Sequence, residues 1–124
     1  MSAHESRLIQ RIRVAATKAG ARLFRNNVGR IRVPESDRYV QYGLSPGSGD
    51  LIGWVPVRIE QHHVGQTVAV FASIEVKTAT QKAESAQIAW RDAVRGNGGI
   101  AAVVYNEPAA LDALKQFGID WTVK

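Results

Sequence analysis

Apolar positions first recur at helical spacing, and then the period changes. Leu8, Ile9, Ile12, Ala15, Ala16 and Ala19 repeat every three or four residues, behind Ser2 and Glu5 in capping-box spacing, and Gly20 closes the run. "ARLFRNNVGRIRV" then reads as strand material interrupted at Asn26 to Gly29, and "RYVQYGL" as a further strand. "SPGSG" has the composition of a turn. "DLIGWVPVRI" and "TVAVFASIEVK" read as strands on either side of the polar stretch "EQHHVGQ". A helix is predicted from about Lys82 to Arg95, with Gly96 to Gly99 ending it. "IAAVVYN" follows as a short buried strand. Pro108 suits the first turn of a helix through Phe117, with Asn106 as its cap, and "IDWTV" suits a final edge strand. The order of helix, run of strands, helix, strand and helix predicts an α/β fold, a mixed β-sheet flanked by helices.

The stretch "FASIEVKT" raises a chemical question. From Thr67 to Lys77 one alternate set is Val68, Val70, Ala72, Ile74 and Val76; the other is Thr67, Ala69, Phe71, Ser73, Glu75 and Lys77. Both sets are largely apolar up to Ser73, which predicts a central strand covered on both sides. Glu75 and Lys77 then share a face where charge is costly unless paired or metal-bound. If the preceding hairpin turns around His62 to Gly65, Asp50 stands across from Lys77 on the face that carries Glu75. Diagonal neighbours in such a ladder lie roughly 7–8 Å apart. Asp50, Glu75 and a nearby backbone carbonyl, such as that of Val76, would then make an oxygen-rich site for Mg²⁺ or Mn²⁺. Lys77 beside it would orient an attacking water and stabilise negative charge during phosphodiester hydrolysis. The plainer reading is that Lys77 neutralises Asp50 or Glu75 as an ion pair.

Composition narrows the setting. At 124 residues, one domain spanning residues 1–124 is the simplest organisation. The absence of cysteine rules out disulfides and thiolate metal sites. Without an apolar run of membrane-span length or a signal-peptide apolar region, a soluble, cytoplasmic protein with no membrane partner is expected. The net charge is +5, and Arg7, Arg11, Arg13, Lys18, Arg22, Arg25, Arg30 and Arg32 crowd the first 32 residues with Glu5 as their only acid. That asymmetry suits a polyanion such as nucleic acid, and equally a solvated helix face. His62 and His63 fall at the expected hairpin tip and read as exposed turn residues. Tyr39, Tyr42 and Trp54 could stack on bases, but aromatic residues of strands are more often core, and they are read as core here.

"GSGDLIG", "IEVKT" and "AQIAWRDAVRGNGGIAAVV" together resemble the VRR-NUC family of the PD-(D/E)xK nuclease superfamily, over about Glu5 to Val104. The pattern of that family has a Glu in the first helix, an R-N-N-x-G segment, G-x-P-D, E-x-K, and a Gln one helical turn before an aromatic residue. Here these are Glu5, Arg25 to Gly29, Gly47 to Asp50, Glu75 to Lys77, and Gln87 before Trp90. Gly49 stands where the family often has proline, which changes the turn before Asp50 and removes no ligand.

The resemblance implies a restriction-endonuclease-like core and a Mg²⁺- or Mn²⁺-dependent endodeoxyribonuclease. Asp50 and Glu75 would be metal ligands and Lys77 the catalytic lysine. Glu5 would approach the metal or its water, although a capping-box acid accounts for it equally. Gln87 would serve the active site from a helix face shared with Trp90 and Val94. Arg25, Asn26 and Asn27 would touch DNA backbone or support the entry of the sheet to the site, the Asn and Gly residues also suiting an ordinary turn, and Arg30 would touch DNA. A domain this small has little surface for reading sequence, so branched or four-way-junction DNA is the expected substrate, and a homodimer the expected assembly. Stand-alone members of the family occur in phages and prophages, so a bacterial or phage-infected cell is the expected setting. A catalytically silent nucleic-acid-binding module and a sequence-specific restriction enzyme are the competing functions.

Overall fold

The structure, a computed structural model, describes residues 2–115. The expected strand "IDWTV" and the end of the last helix at Phe117 lie outside those residues. Packing divides the chain into two units, Met1–Val57 and Arg58–Lys124.

In the first unit, α1 spans Ala3–Lys18. Ser2 Oγ accepts the Glu5 N–H at 3.0 Å, satisfying one of the donors that a helix start leaves open, and Lys18 in the last turn complements the negative end of the helix dipole. β1 (Arg22–Arg25) and β4 (Leu51–Trp54) pair antiparallel, Arg22 opposite Trp54 and Arg25 opposite Leu51. Phe24 and Trp54 share a face, with ring centroids 5.3 Å apart, and Trp54 is buried as expected. β2 (Gly29–Arg32) and β3 (Tyr39–Tyr42) form a separate antiparallel ladder. Here Tyr39 and Tyr42 depart from the core role expected of them. Both are exposed: among the described residues this ladder has no third strand, and only Gly29 in it is even half-covered.

The second unit is built on a parallel crossover. β5 (Ala72–Val76) runs into α2 (Ser85–Gly96), which returns the chain to β6 (Ile100–Val104) in the register Ala72 opposite Ile100 through Val76 opposite Val104. α3 (Glu107–Leu114) follows, with Asn106 Oδ1 accepting the Ala109 N–H at 2.9 Å and Pro108 in the first turn. Alternation divides this small sheet cleanly. Ile74, Ala102 and Val104 face α3 and pack with Ala109, Ala110 and Ala113. Ser73, Glu75, Ala101 and Val103 belong to the opposite face, with α2 over it. Val94 of α2 is 1% exposed, the largest fully buried side chain among the described residues.

Mixed strand pairing and flanking helices agree with the α/β expectation; the strand bounds and partners do not all follow it. β4 stops at Trp54, where Pro56 is about to remove a ladder donor, so "DLIGWVPVRI" is not one long strand. β5 begins at Ala72 rather than Thr67, and Val76 is 70% exposed, so the strand is not covered on both sides. The hairpin that would set Asp50 across from Lys77 is not among the ladders of the described residues: β4 pairs with β1 and β5 with β6. Its supposed tip is instead a 3-10 turn, Gln61–His63, in which the Glu60 N–H donates to His63 Nδ1 at 2.9 Å. The polar stretch closes on itself and leaves both strands to other partners.

Truncating Val94 should test this core. Val94→Ala is expected to cost about 2 kcal/mol in urea unfolding. Val55→Ala, at an exposed position, should stay within about 0.5 kcal/mol of the parent. Equal effects would mean that α2 is not seated as described.

Candidate active site

Glu75 stands at the carboxyl end of a parallel strand, where open α/β sheets ordinarily present ligands. Its side chain is held by the helix above it. Gln87 Nε2 donates to Glu75 Oε1 at 2.7 Å, while Gln87 Oε1 accepts the Glu84 N–H at 2.9 Å. Gln87 is the third residue of α2, so its carbonyl completes the helix cap and its amide is left pointing at the strand. One turn later, Trp90 Nε1 donates to Ser73 Oγ at 2.8 Å. Residues 87 and 90 of the helix thus meet residues 75 and 73 of the strand, the reversed order that an antiparallel helix over a strand requires.

Lys77 closes the cluster from the strand side. Its N–H donates to Val104 O at 2.9 Å, continuing the ladder one residue beyond β5, and this keeps its side chain on the face of Glu75. Nζ lies 3.6 Å from Glu75 Oε1. The Lys77 side chain is 10% exposed and that of Glu75 is 43% exposed. Both donors converge on Oε1, and among the described residues Oε2 accepts no hydrogen bond. The face opens into a concavity of about 260 Å³ lined by Glu75, Gln87, Trp90, Arg91, Ala101 and Val103. Sequence brought Glu75 and Lys77 forward as a pair and Gln87 apart from them; the fold brings Lys77 and Gln87 to one oxygen atom of Glu75. Ser73 was not singled out beforehand. Its only signal was a small polar residue on the same strand face, two positions before Glu75.

Asp50 lies in the first unit, exposed, at the end of a tightly held loop. Ser45, Pro46, Gly47 and Ser48 make a turn closed by Ser48 N–H to Ser45 O at 2.9 Å, and Gly47 takes a φ of 86°, the left-handed value this turn needs after proline. Asn26 clamps the loop. Its Nδ2 donates to Ser48 Oγ at 2.8 Å and Gly49 O at 2.9 Å, and its Oδ1 accepts the Leu44 N–H at 3.1 Å. Its own N–H donates to Asp50 O at 2.8 Å. The side-chain amide of Asn26 is therefore occupied by the protein itself, within the loop that ends at Asp50.

The remaining candidates are more local. Glu5 is exposed in the first turn of α1, where its Oε1 accepts the Ser2 hydroxyl at 3.3 Å. Arg25 is exposed at the end of β1, and Asn27 is exposed just beyond it. Arg30 lies over the Tyr39 ring at 4.6 Å. His62 is exposed in its turn, whereas His63, expected to be exposed as well, is half-buried, its Nδ1 accepting the Glu60 N–H. Part of the basic front of the chain gathers in a cleft of about 430 Å³ between α1 and β1, lined by Arg13, Lys18, Arg22 and Phe24. Among the described residues no helix is long and apolar enough to cross a membrane.

A parallel crossover with an acid, an amide and a lysine joined at the carboxyl end of its first strand defines a nuclease-like α/β core. The chain belongs to the VRR-NUC domain family, whose family model matches residues 2–108. It is a nuclease-type domain, with DNA as the substrate class. Comparison with curated proteins finds no match, and neither does comparison with solved structures.

The Asn26 clamp makes a direct prediction. Asn26→Ala leaves the Leu44 N–H without its acceptor and should cost about 1–3 kcal/mol of stability. Hydrogen exchange at Leu44 should accelerate more than at Val94. Unchanged exchange at Leu44 would show that the loop is held by something else.

Proposed function

We propose that this protein is a metal-dependent endonuclease that hydrolyses DNA phosphodiester bonds, with branched or four-way-junction DNA as its preferred substrate and a homodimer as its working form. One observation carries the reading. A partly exposed carboxylate that lines a concave surface is held by an amide and a lysine on one oxygen, while its other oxygen accepts no hydrogen bond among the described residues. An ordinary surface ion pair does not need a helix cap to aim it.

Glu75 would hold a divalent cation through its second oxygen, Oε2, with the carbonyl of Val76. Asp50 joins as the second carboxylate on the order of the sequence motifs. The described residues form no group of three or more His, Cys, Asp or Glu suited to caging a metal. One or two carboxylates, completed by water and a substrate phosphate, are the donor set by which Mg²⁺ is ordinarily held, so the residues present fit Mg²⁺ or Mn²⁺. When bound, the cation would supply Lewis acidity at the scissile phosphate and a more acidic water. The rest falls to the protein. Lys77 Nζ, already beside the carboxylate, would orient the attacking water and donate to the phosphate oxygens as their charge grows. Gln87 keeps Glu75 in one rotamer, so no reorganisation is needed when substrate arrives. Glu5 would reach the water shell of the metal. Arg25 and Asn27 would meet the DNA backbone and Arg30 would contact the DNA, with Asn26 supporting the loop that leads to Asp50.

A labelled panel of linear duplex, single strand, flap and four-way junction tests this with Mg²⁺, Mn²⁺ or EDTA. Wild type should cut the branched substrates fastest and cut nothing in EDTA. Glu75→Ala and Lys77→Ala should each lose about 100-fold or more while remaining folded. Discrete fragments from linear duplex would favour a restriction-type enzyme. Binding by folded wild type without cleavage under either metal would replace the enzyme with a silent binding module.

A further inference from the structure

The β2–β3 ladder is two strands with nothing paired to either outer edge among the described residues, and all of its residues except Gly29 are exposed. An isolated pair of strands is marginal in water, so what keeps this one ordered is informative. Its register sets Gly29 opposite Tyr42, Arg30 opposite Gln41, Ile31 opposite Val40 and Arg32 opposite Tyr39. Opposed residues share a face, so Arg30, Arg32, Tyr39 and Gln41 form one side and Ile31, Val40 and Tyr42 the other. The Tyr42 ring covers Gly29, where any Cβ would collide with it. On the polar side the Arg30 guanidinium stacks on Tyr39 at 4.6 Å, and Arg32 Nε donates to Ser36 O at 2.7 Å while Arg32 lies 3.6 Å from Asp37. The acids of the ribbon, Glu35 and Asp37, sit in its turn, and the polar side itself carries none.

We infer that this ribbon lies in the major groove of the DNA substrate, polar side inward, with Arg30 and Gln41 against base edges. The inference rests on the nuclease reading and adds a contact surface to it. Two strands stand about 4.8 Å apart, and a two-stranded ribbon with its side chains fits a groove about 12 Å wide. Arginine and glutamine side by side are suited to base edges, Arg to guanine O6 and N7 and Gln to adenine N6 and N7. The acidic turn keeps the tip out of the groove and leaves the flat basic side as the part that approaches. Stacking on Tyr39 holds Arg30 extended in advance, which lowers the entropy lost on contact.

The test is dimethyl sulfate footprinting of guanine N7 on a four-way junction and on linear duplex in EDTA, with affinity read by fluorescence anisotropy. Wild type should protect guanines in at least one arm. Arg30→Ala and Gln41→Ala should each weaken binding about tenfold and remove that protection. Gln41→Ala leaves the Arg30–Tyr39 stack in place, so its effect is not explained by loss of the ribbon, and circular dichroism melts of both variants should match the parent. Metal-dependent cleavage by wild type together with unchanged footprints in both variants would overturn the ribbon contact and leave the nuclease reading standing. Wild type that neither cuts nor binds would overturn both. Unchanged footprints with a dimer that dissociates in sedimentation on Ile31→Asp would assign the ribbon to a second copy of the chain and overturn the contact with DNA.

Discussion

The bridge that Gln87 makes between the start of α2 and Glu75 is the constraint on which the candidate site depends. One side-chain end satisfies the Glu84 N–H, and the other fixes a carboxylate at the end of β5. Helix capping and site geometry are therefore the same structural event. The parallel crossover makes it possible, because β5, α2 and β6 must pack in that order for α2 to run back over the strand it has just left. Trp90 and Ser73 repeat the contact one turn along, and Val94 anchors the far end of the same helix face. Polar residues near the carboxyl end give way to apolar burial at the other end. The gradient lets one helix both build a core and hold a site.

The first unit uses the same economy with different parts. Asn26 is placed by the end of β1 and bonds to Leu44, Ser48, Gly49 and Asp50 along the loop. Gly47 supplies the one backbone conformation the turn cannot take with a side chain at ordinary cost. A short polar loop is thereby made rigid without burial. Beside it, the β2–β3 ribbon is ordered by stacking and by its own turn rather than by a core.

Much of this was legible from the residues. Helix periodicity, the Ser2 and Asn106 caps and the buried "IAAVV" strand follow from local rules, and local rules govern those segments. Glu75 and Lys77 stood out because charge on an apolar strand face needs a reason, and Gln87 because an amide on a core-facing helix stripe needs partners. Strand pairing was less legible, since alternation fixes the face of a residue and leaves its neighbour open. β5 has much the same pattern whether it pairs with β4 or β6, and the choice is made by Pro56, by the self-capped turn at Glu60 to His63 and by the crossover helix. The two strands of the ribbon were legible, but their exposure was not, for a related reason. Tyr39, Val40 and Tyr42 carry the composition of a core strand, and nothing local signals that they are exposed among the described residues.

The most direct test of the central claim is paramagnetic broadening by Mn²⁺, read by NMR on the folded protein without DNA. If the Gln87-oriented carboxylate is the metal-binding centre, the side-chain amide of Gln87 and the backbone amides of Val76 and Lys77 should broaden first, and Glu75→Gln should abolish the effect. Broadening that begins elsewhere and is untouched by Glu75→Gln would contradict the account and return Glu75, Lys77 and Gln87 to a structural role.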